Sequence, residues 1–297
     1  MSQAPAHQAI TPILVTYNSA KILPWSLPAL AAFEQVIVVD NESHDDTVAI
    51  ASAMLPQVKV IRAGRNLGFG RANNLGLAAV TTPYALLLNP DSQLQPGAME
   101  ALHAATQRYP DAAILAPVLY DAPGVVGEFF RGPFRLPRKA PRIVPDGDVC
   151  AEFVTGAAML INIAAMRRVG YFDPWFFLYL EDDDLCHRVR QSGQQIVVVH
   201  DAALEHHTRQ SSPPSVRNTL RRFFCMTLSK FYRTRKHAGT GRCVLLVLRV
   251  GLGSLLALPF QIFTPRRERT LRHLARIAAA AVSWRHLGRA HCFEPMD

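Results

Sequence analysis

Four consecutive carboxylates, Glu181, Asp182, Asp183 and Asp184, follow directly on the run Trp175-Phe176-Phe177-Leu178-Tyr179-Leu180. Charges that repel one another and prefer water are set beside rings that prefer burial. Two explanations fit. Acidic side chains stabilise the first turn of a helix by facing the positive end of its dipole, and Leu185, Arg188, Val189 and Arg190 continue a helix that should stop at Gly193. A carboxylate next to Trp175, Phe177 and Tyr179 can also have its proton affinity raised enough to serve as a general base near neutral pH. One or two acids would satisfy capping, and four in a row go beyond it. A calcium loop fits poorly, because the spaced oxygen ligands and central glycine of an EF-hand are missing.

A base needs a scaffold, and the first half of the chain supplies one. Ile13-Leu14-Val15, Val36-Ile37-Val38-Val39, Val58-Lys59-Val60-Ile61 and Ala85-Leu86-Leu87-Leu88 are short apolar runs separated by enough chain for a helix each. That pattern predicts parallel strands with right-handed crossovers, buried on both faces. In such sheets ligands bind beyond the carboxyl ends of the strands. The residues there are Thr16-Tyr17-Asn18, Asp40 to Ser43, Asn66 to Arg71, and Asn89-Pro90-Asp91. Ser43 to Asp46 also reads as a helix start, with Asp45 and Asp46 in the first turn, so capping explains part of this polarity. Asp40 is different, since it closes an apolar strand where burial is costly unless the carboxylate binds something.

Gly68 and Gly70 suggest the dinucleotide fingerprint, but Asn73 occupies the third glycine position and the loop follows the third strand instead of the first. The loop suits either close backbone approach to a nucleotide, with Arg71 meeting a base or phosphate, or an ordinary glycine turn. Asp91 is placed either for a hard divalent cation that bridges phosphate oxygens or for a surface turn.

Further on, residues 119–150 are rich in Pro, Gly and Arg and read as a long loop that orders over substrate. Phe153 to Ile161 reads as one strand containing Gly156, Ile163 to Val169 as a short helix, and Gln195 to Val199 as a strand followed by the adjacent His206 and His207. Adjacent histidines after a strand are either surface polarity or ligands, depending on their neighbours.

The charge is unevenly distributed. Residues 1–207 carry 15 Lys/Arg and 20 Asp/Glu, a net of −5, whereas residues 208–297 carry 17 Lys/Arg and 3 Asp/Glu, a net of +14. Val216, Leu220, Phe223, Phe224, Leu228 and Phe231 recur at helical spacing among arginines and lysines, which predicts a basic amphipathic helix. Val244 to Ile262 is strongly apolar yet contains Arg249, Gly251, Gly253 and Pro259, and reads as an interfacial or re-entrant segment, with a transmembrane helix as the rival. A further basic helix is expected from Leu271. Such a region suits the anionic cytoplasmic leaflet, and the long apolar run favours a membrane over nucleic acid or a merely solvated surface. Five cysteines without CxxC or zinc spacing, and no apolar stretch before Ile10, lead to the expectation of a reduced, cytosolic compartment and no signal peptide.

Taken in order, several stretches resemble the family 2 glycosyltransferases of the GT-A fold, and among them the rhamnosyltransferase-like members of bacterial surface polysaccharide and O-antigen synthesis. They are Val38 to Ser43 with Asp45 and Thr47, Asn66 to Gly70 with Asn73 to Gly76, Leu87 to Asp91, Gly156 to Met159, Gly170 to Asp173 with Phe176 to Leu185, and His206 with Ser211. The resemblance covers about residues 10 to 212. It implies an α/β fold with a mostly parallel, Rossmann-like sheet flanked by helices. A catalytic domain would occupy residues 1–212, and a helical, membrane-associating region residues 213–297.

The resemblance also implies roles. Asp182 would be the general base, with Glu181, Asp184 and Trp175 binding the acceptor. Thr16, Tyr17, Asn18, Asp40, Asn66, Gly68, Arg71, Asn73 and Asn89 would hold a nucleoside-diphosphate sugar. Asp91 and His206 would bind Mg²⁺ or Mn²⁺. The family often reads Asp-X-Asp at the metal loop, and Asn89 at its first position removes a negative ligand. The expected reaction is inverting transfer from a nucleotide sugar, dTDP-L-rhamnose or a UDP-sugar, to a polyprenyl-diphosphate-linked glycan at the inner face of the cytoplasmic membrane, with no nucleic-acid partner. The alternatives are a non-catalytic sugar-nucleotide or polysaccharide-binding subunit, or transfer of galactose, mannose or glucose.

Overall fold

The computed structural model describes residues 5–131, 144–207, 215–262 and 267–286. The Arg- and Pro-rich heart of the expected substrate loop (132–143), Ser211 and the 212/213 boundary lie outside the described residues. The chain divides into two compact units, Met1–Asp173 with Asp182–Ser211, and Pro174–Glu181 with Ser212–Asp297. Pro174–Glu181, expected within the catalytic part, groups with the helical part.

In the first unit the strands are β1 (Ile10–Thr16), β2 (Val36–Asp40), β3 (Val58–Arg62), β4 (Tyr84–Leu88), β5 (Ser92–Leu94), β6 (Ala112–Ala122), β7 (Val125–Val126), β8 (Phe130–Arg131), β9 (Val149–Cys150), β10 (Phe153–Val154), β11 (Ala158–Asn162) and β12 (Gln195–His206). The helices are α1 (Ala6–Ala9), α2 (Leu23–Ser26), α3 (Thr47–Met54), α4 (Phe69–Ala78), α5 (Ala98–Arg108), α6 (Ile163–Val169) and α7 (Glu181–Gln191), whose first residue groups with the second unit. The main sheet runs β3-β2-β1-β4-β11-β6-β12-β5. The four runs read as parallel strands are its parallel half, since β1 pairs parallel with β2 and β4, and β2 with β3. Val36 to Val39 are fully buried, as expected of a strand covered on both faces.

The other half is mixed. β11 runs antiparallel between β4 and β6, and β6 pairs parallel with β12. Three expectations are corrected here. β6 extends to Ala122, inside the stretch read as loop, because its Ala112 to Leu119 face is buried between two partners and Pro117 is accommodated opposite Val199. The single strand expected over 153–161 is broken at 155–157, where Thr155 and Gly156 turn their amides to Phe129 and Asp182 instead of a neighbouring strand. The helix expected to begin near Ser43 begins at Thr47; Asp45 lies before it and accepts the Thr47 amide at 3.1 Å.

In the second unit, α8 (Val216–Ala238), α9 (Thr240–Ile262) and α10 (Arg267–His286) pack around Phe231, Cys243, Val247, Ala279 and Ala280. Ser215 caps α8, accepting the Asn218 amide at 3.0 Å. Gly251 faces Ala280 so closely that a β-carbon at residue 251 would lie 3.1 Å from the alanine methyl, so the glycine sets how near α9 and α10 approach. The segment before α7 is fastened within this unit. Ser229 donates to the Leu178 carbonyl at 2.9 Å, Phe176 meets Tyr232 edge-on at 5.0 Å, and Arg221 lies 5.2 Å over the Phe177 ring. Tyr179 and Leu180 both adopt left-handed backbone (φ +72° and +66°), which turns the chain sharply into α7.

Candidate active site

The carboxyl ends of β1, β2 and β3 form one polar rim. Thr16 and Asp40 are register partners, and the Asn41 amide closes the rim by donating to the Thr16 carbonyl at 2.8 Å. Both side chains are buried, and Asp40 accepts the Ser43 amide at 3.2 Å. Asn18, in left-handed backbone, bridges to the next loop. Its amide donates to Ser43 Oγ at 2.9 Å, and its Oδ1 accepts the His44 amide at 2.8 Å. Asn66 likewise builds the loop, accepting from Asn41 Nδ2 at 3.1 Å and from the Gly68 amide at 3.0 Å. Gly68 has φ +80°, a conformation that a side chain would strain, and it leads into α4 and Arg71.

The structure thus brings Thr16, Tyr17, Asn18, Asp40, Asn66 and Gly68 to one rim, with Asn18 and Asn66 shaping it through their side chains. Asn73 is buried and donates its side-chain amide to the Phe69 carbonyl at 3.0 Å within its own helix. Trp175 lies in the helical unit, 6.3 Å from Tyr232 between ring centroids.

The Asn-Pro-Asp loop follows β4. The Asn89 amide donates to the Ala157 carbonyl at 3.0 Å, and the Asp91 carbonyl accepts the His207 amide at 2.9 Å. This places Asp91 Oδ1 3.3 Å from His206 Nε2 at the end of β12. The neighbouring His207 stacks on Trp25 with centroids 4.2 Å apart and bonds Glu205, so the two adjacent histidines face different partners. A largely buried carboxylate and imidazole side by side form a donor pair suited to Mn²⁺ or Mg²⁺. Among the described residues no group of three or more His, Cys, Asp or Glu is arranged for a metal. Asp91 and His206 are the residues that would hold such an ion.

Asp182 is held by the residue next to that loop's anchor. Gly156 donates its amide to Asp182 Oδ2 at 3.2 Å, and the next residue, Ala157, takes the Asn89 amide. The Asp183 amide donates to Asp182 Oδ1 at 2.8 Å. Burial, reinforced by the nearby Asp183 carboxylate, pushes the Asp182 carboxyl up to about 6, against the pull of its backbone hydrogen bonds. A carboxylate that is ionised at neutral pH yet still holds a proton well can accept one from a sugar hydroxyl.

Asp184 has another partner. It is 0% exposed and pairs with Arg188 Nε at 2.8 Å. The same guanidinium reaches the carbonyls of Val169 at 3.2 Å, Gly170 at 2.9 Å and Tyr171. Asn74 then ties that turn to α4 by a reciprocal pair with Phe172, donating at 2.8 Å and accepting at 3.0 Å. Asp184, expected at the acceptor, is thus placed where it anchors α7 through Arg188. Glu181 is buried at the start of α7. Sequence reasoning missed Gly156, Arg188 and Asn74. The i,i+4 spacing of Asp184 and Arg188 was a usable signal for one of them.

Comparison with known proteins identifies the family. A family model described as glycosyl transferase family 2 matches residues 11–164, more than half of the chain. This chain belongs to glycosyl transferase family 2. It is a glycosyltransferase, and it is 28% identical over 235 residues to the N-acetylglucosaminyl-diphospho-decaprenol L-rhamnosyltransferase of Mycobacterium tuberculosis, covering 67% of this chain and 76% of that one. The architecture is the GT-A fold, as in two solved structures. The mannosyltransferase PcManGT from Pyrobaculum calidifontis in complex with GDP-Man and Mn²⁺ has TM-score 0.53 and 16% identity, over 93% of this chain and 86% of that one. GalNAc-T7 with UDP, GalNAc and Mn²⁺ has TM-score 0.57 and 14% identity; the match covers 75% of this chain but spans only 51% of that chain.

Proposed function

We propose that this glycosyltransferase transfers L-rhamnose from dTDP-L-rhamnose, with inversion, to a hydroxyl of a polyprenyl-diphosphate-linked glycan in surface polysaccharide or O-antigen synthesis. The observation that carries the mechanism is the adjacency of Gly156 and Ala157. One holds the Asp182 carboxylate and the other holds the Asn-Pro-Asp loop, so base and diphosphate loop share one anchor. The choice of donor and acceptor is supported by the mycobacterial relative.

Asp182 takes the proton from the acceptor hydroxyl as that oxygen attacks the sugar's anomeric carbon from the face opposite the diphosphate. The new glycosidic bond forms while the carbon–oxygen bond to the diphosphate breaks, and its electron pair leaves with the nucleoside diphosphate. No covalent intermediate on the protein is needed. Thr16, Tyr17, Asn18, Asp40, Asn66, Gly68, Arg71 and Asn89 bind or frame the nucleotide sugar, and Glu181 and Trp175 orient the acceptor. Asp91 and His206 would hold Mg²⁺ or Mn²⁺, which when bound supplies positive charge for the departing diphosphate. The enzyme works at the cytoplasmic face of the inner membrane, held peripherally through the net charge of +14 on residues 208–297.

The test is turnover of dTDP-rhamnose, UDP-galactose, UDP-GlcNAc and GDP-mannose with a polyprenyl-diphosphate-GlcNAc acceptor, with and without Mn²⁺. Selective, metal-enhanced use of dTDP-rhamnose is expected. Preference for another donor would replace the sugar, and no binding of any donor would overturn the reading.

A further inference from the structure

The face of α9 turned away from α8 and α10 carries Leu245, Leu248, Leu252, Leu255, Leu256 and Phe260, all exposed, with Leu256 at 74% and Phe260 at 75%. Their spacing of three and four residues draws one apolar strip along the helix. The opposite face, Cys243, Val247, Gly251 and Ser254, is buried. A strip of this length is too large to be scattered surface hydrocarbon.

We propose that this strip lies in the plane of an anionic lipid bilayer, at the boundary of headgroups and acyl chains, and that α9 does not span it. The inference deepens the membrane reading above by fixing which residues enter lipid and how far. Three observations favour lipid as the occupant and the in-plane pose. First, Thr240–Gln261 is long and apolar enough to cross a membrane, yet Arg249 stands exposed near its middle. In a spanning helix that cation would sit at mid-bilayer, disfavoured by roughly a hundredfold or more, whereas at the interface its stem runs along the strip and its head reaches phosphate.

Second, α9 is packed along its buried face against α10 and α8, which carry Arg272, Arg276, Arg221 and Arg222. Spanning would draw those charges into hydrocarbon or tear α9 from its partners. Third, the 17 Lys/Arg against 3 Asp/Glu of residues 208–297 match anionic headgroups, and an exposed arginine, Arg242, flanks the strip at its amino-terminal end. The strip supplies depth and the cations supply selection for anionic lipid.

The test uses the full chain. Wild type should float with phosphatidylcholine–phosphatidylglycerol vesicles and much less with phosphatidylcholine alone. The variant Leu252→Glu/Leu256→Glu should lose vesicle partitioning by about a hundredfold, since each leucine buried in acyl chains contributes roughly tenfold or more. It should keep its unfolding temperature and its transfer to a soluble acceptor analogue. In bacterial cells, alkaline phosphatase fused after residue 297 should be inactive and a fluorescent protein there bright, because α9 does not carry the terminus across. Undiminished flotation of the variant, active phosphatase, or a wild-type dimer abolished by the two glutamates without vesicle affinity would each overturn the proposal, the last by giving the strip to a second copy. Loss of donor turnover with flotation intact would instead count against the proposed reaction alone.

Discussion

In the sheet-bearing unit Asp40, Asp91, Asp183 and Asp184 are buried, whereas in the helical unit Leu245, Leu252, Leu256 and Phe260 face solvent. Each region breaks the usual partition of charge and hydrocarbon, in opposite directions. The buried acids are held by local donors: Asp40 by the Ser43 amide, Asp184 by Arg188, Asp91 beside His206. Within one four-residue acidic run the outcomes also diverge. Asp184 meets a guanidinium and anchors α7, while Asp182 meets backbone amides and another carboxylate and is pushed up to about 6. A residue type at a given spacing does not settle its role; its immediate partners do. The exposed leucines teach the converse, since hydrocarbon that no neighbouring helix covers points to a partner outside the chain.

The largest effect that would sharpen this contrast is expected from Asp182→Asn. Transfer should fall by about a thousandfold, in the range of general-base contributions, with the dissociation constant for the sugar nucleotide nearly unchanged. Single-turnover kinetics and calorimetry separate the two. Asp184 should behave in the opposite way. Arg188→Ala removes the guanidinium from a fully buried carboxylate and should destabilise the fold by about 3–5 kcal/mol in denaturant unfolding, with part recovered by adding Asp184→Asn. An unchanged unfolding midpoint would make Asp184 available for the acceptor after all.

A smaller effect belongs to Gly156→Ala. The added β-carbon would lie 3.0 Å from the Phe69 ring and 3.8 Å from the Asp182 β-carbon. The ring must give way and the base's amide donor shifts, so kcat should fall by about tenfold while KM for the donor holds. Smaller still is the effect on stability. Because folding raises the Asp182 pKa from 3.8 to about 6, the stabilisation it contributes is complete below 3.8 and lost as pH rises through about 6. Above that pH the Asp182→Asn variant should be more stable than wild type, and near pH 4 the two should converge.

Much of this was legible in the sequence for a physical reason. Strands buried on both faces are apolar without interruption, so β1 to β4 and the polar residues at their ends stand out. The central strand β6 did not, because Pro117 and the Pro- and Gly-rich chain after it look like loop, and only pairing with β11 and β12 makes that segment extended. The Asp182–Gly156 contact joins residues 26 apart through a backbone amide, which no side-chain pattern announces. Arg188 is similar: three of its partners are carbonyls. The Asn73 bond to its own helix was not legible, because an asparagine beside a glycine-rich loop reads the same whether it faces a ligand or its own backbone. The apolar strip on α9 was visible as composition, but which leucines α8 and α10 leave uncovered depends on packing.

If Asp182 is the base of the proposed reaction, the carboxyl raised to about 6 by desolvation and the neighbouring Asp183 carboxylate must govern the rate. The direct measurement is the pH dependence of single-turnover transfer at saturating donor. Wild-type rates should rise about tenfold per pH unit on the acid side and level off above about 6, where Asp182 is ionised. A rate independent of pH between 5 and 7, or an Asp182→Asn variant with undiminished turnover, would contradict it.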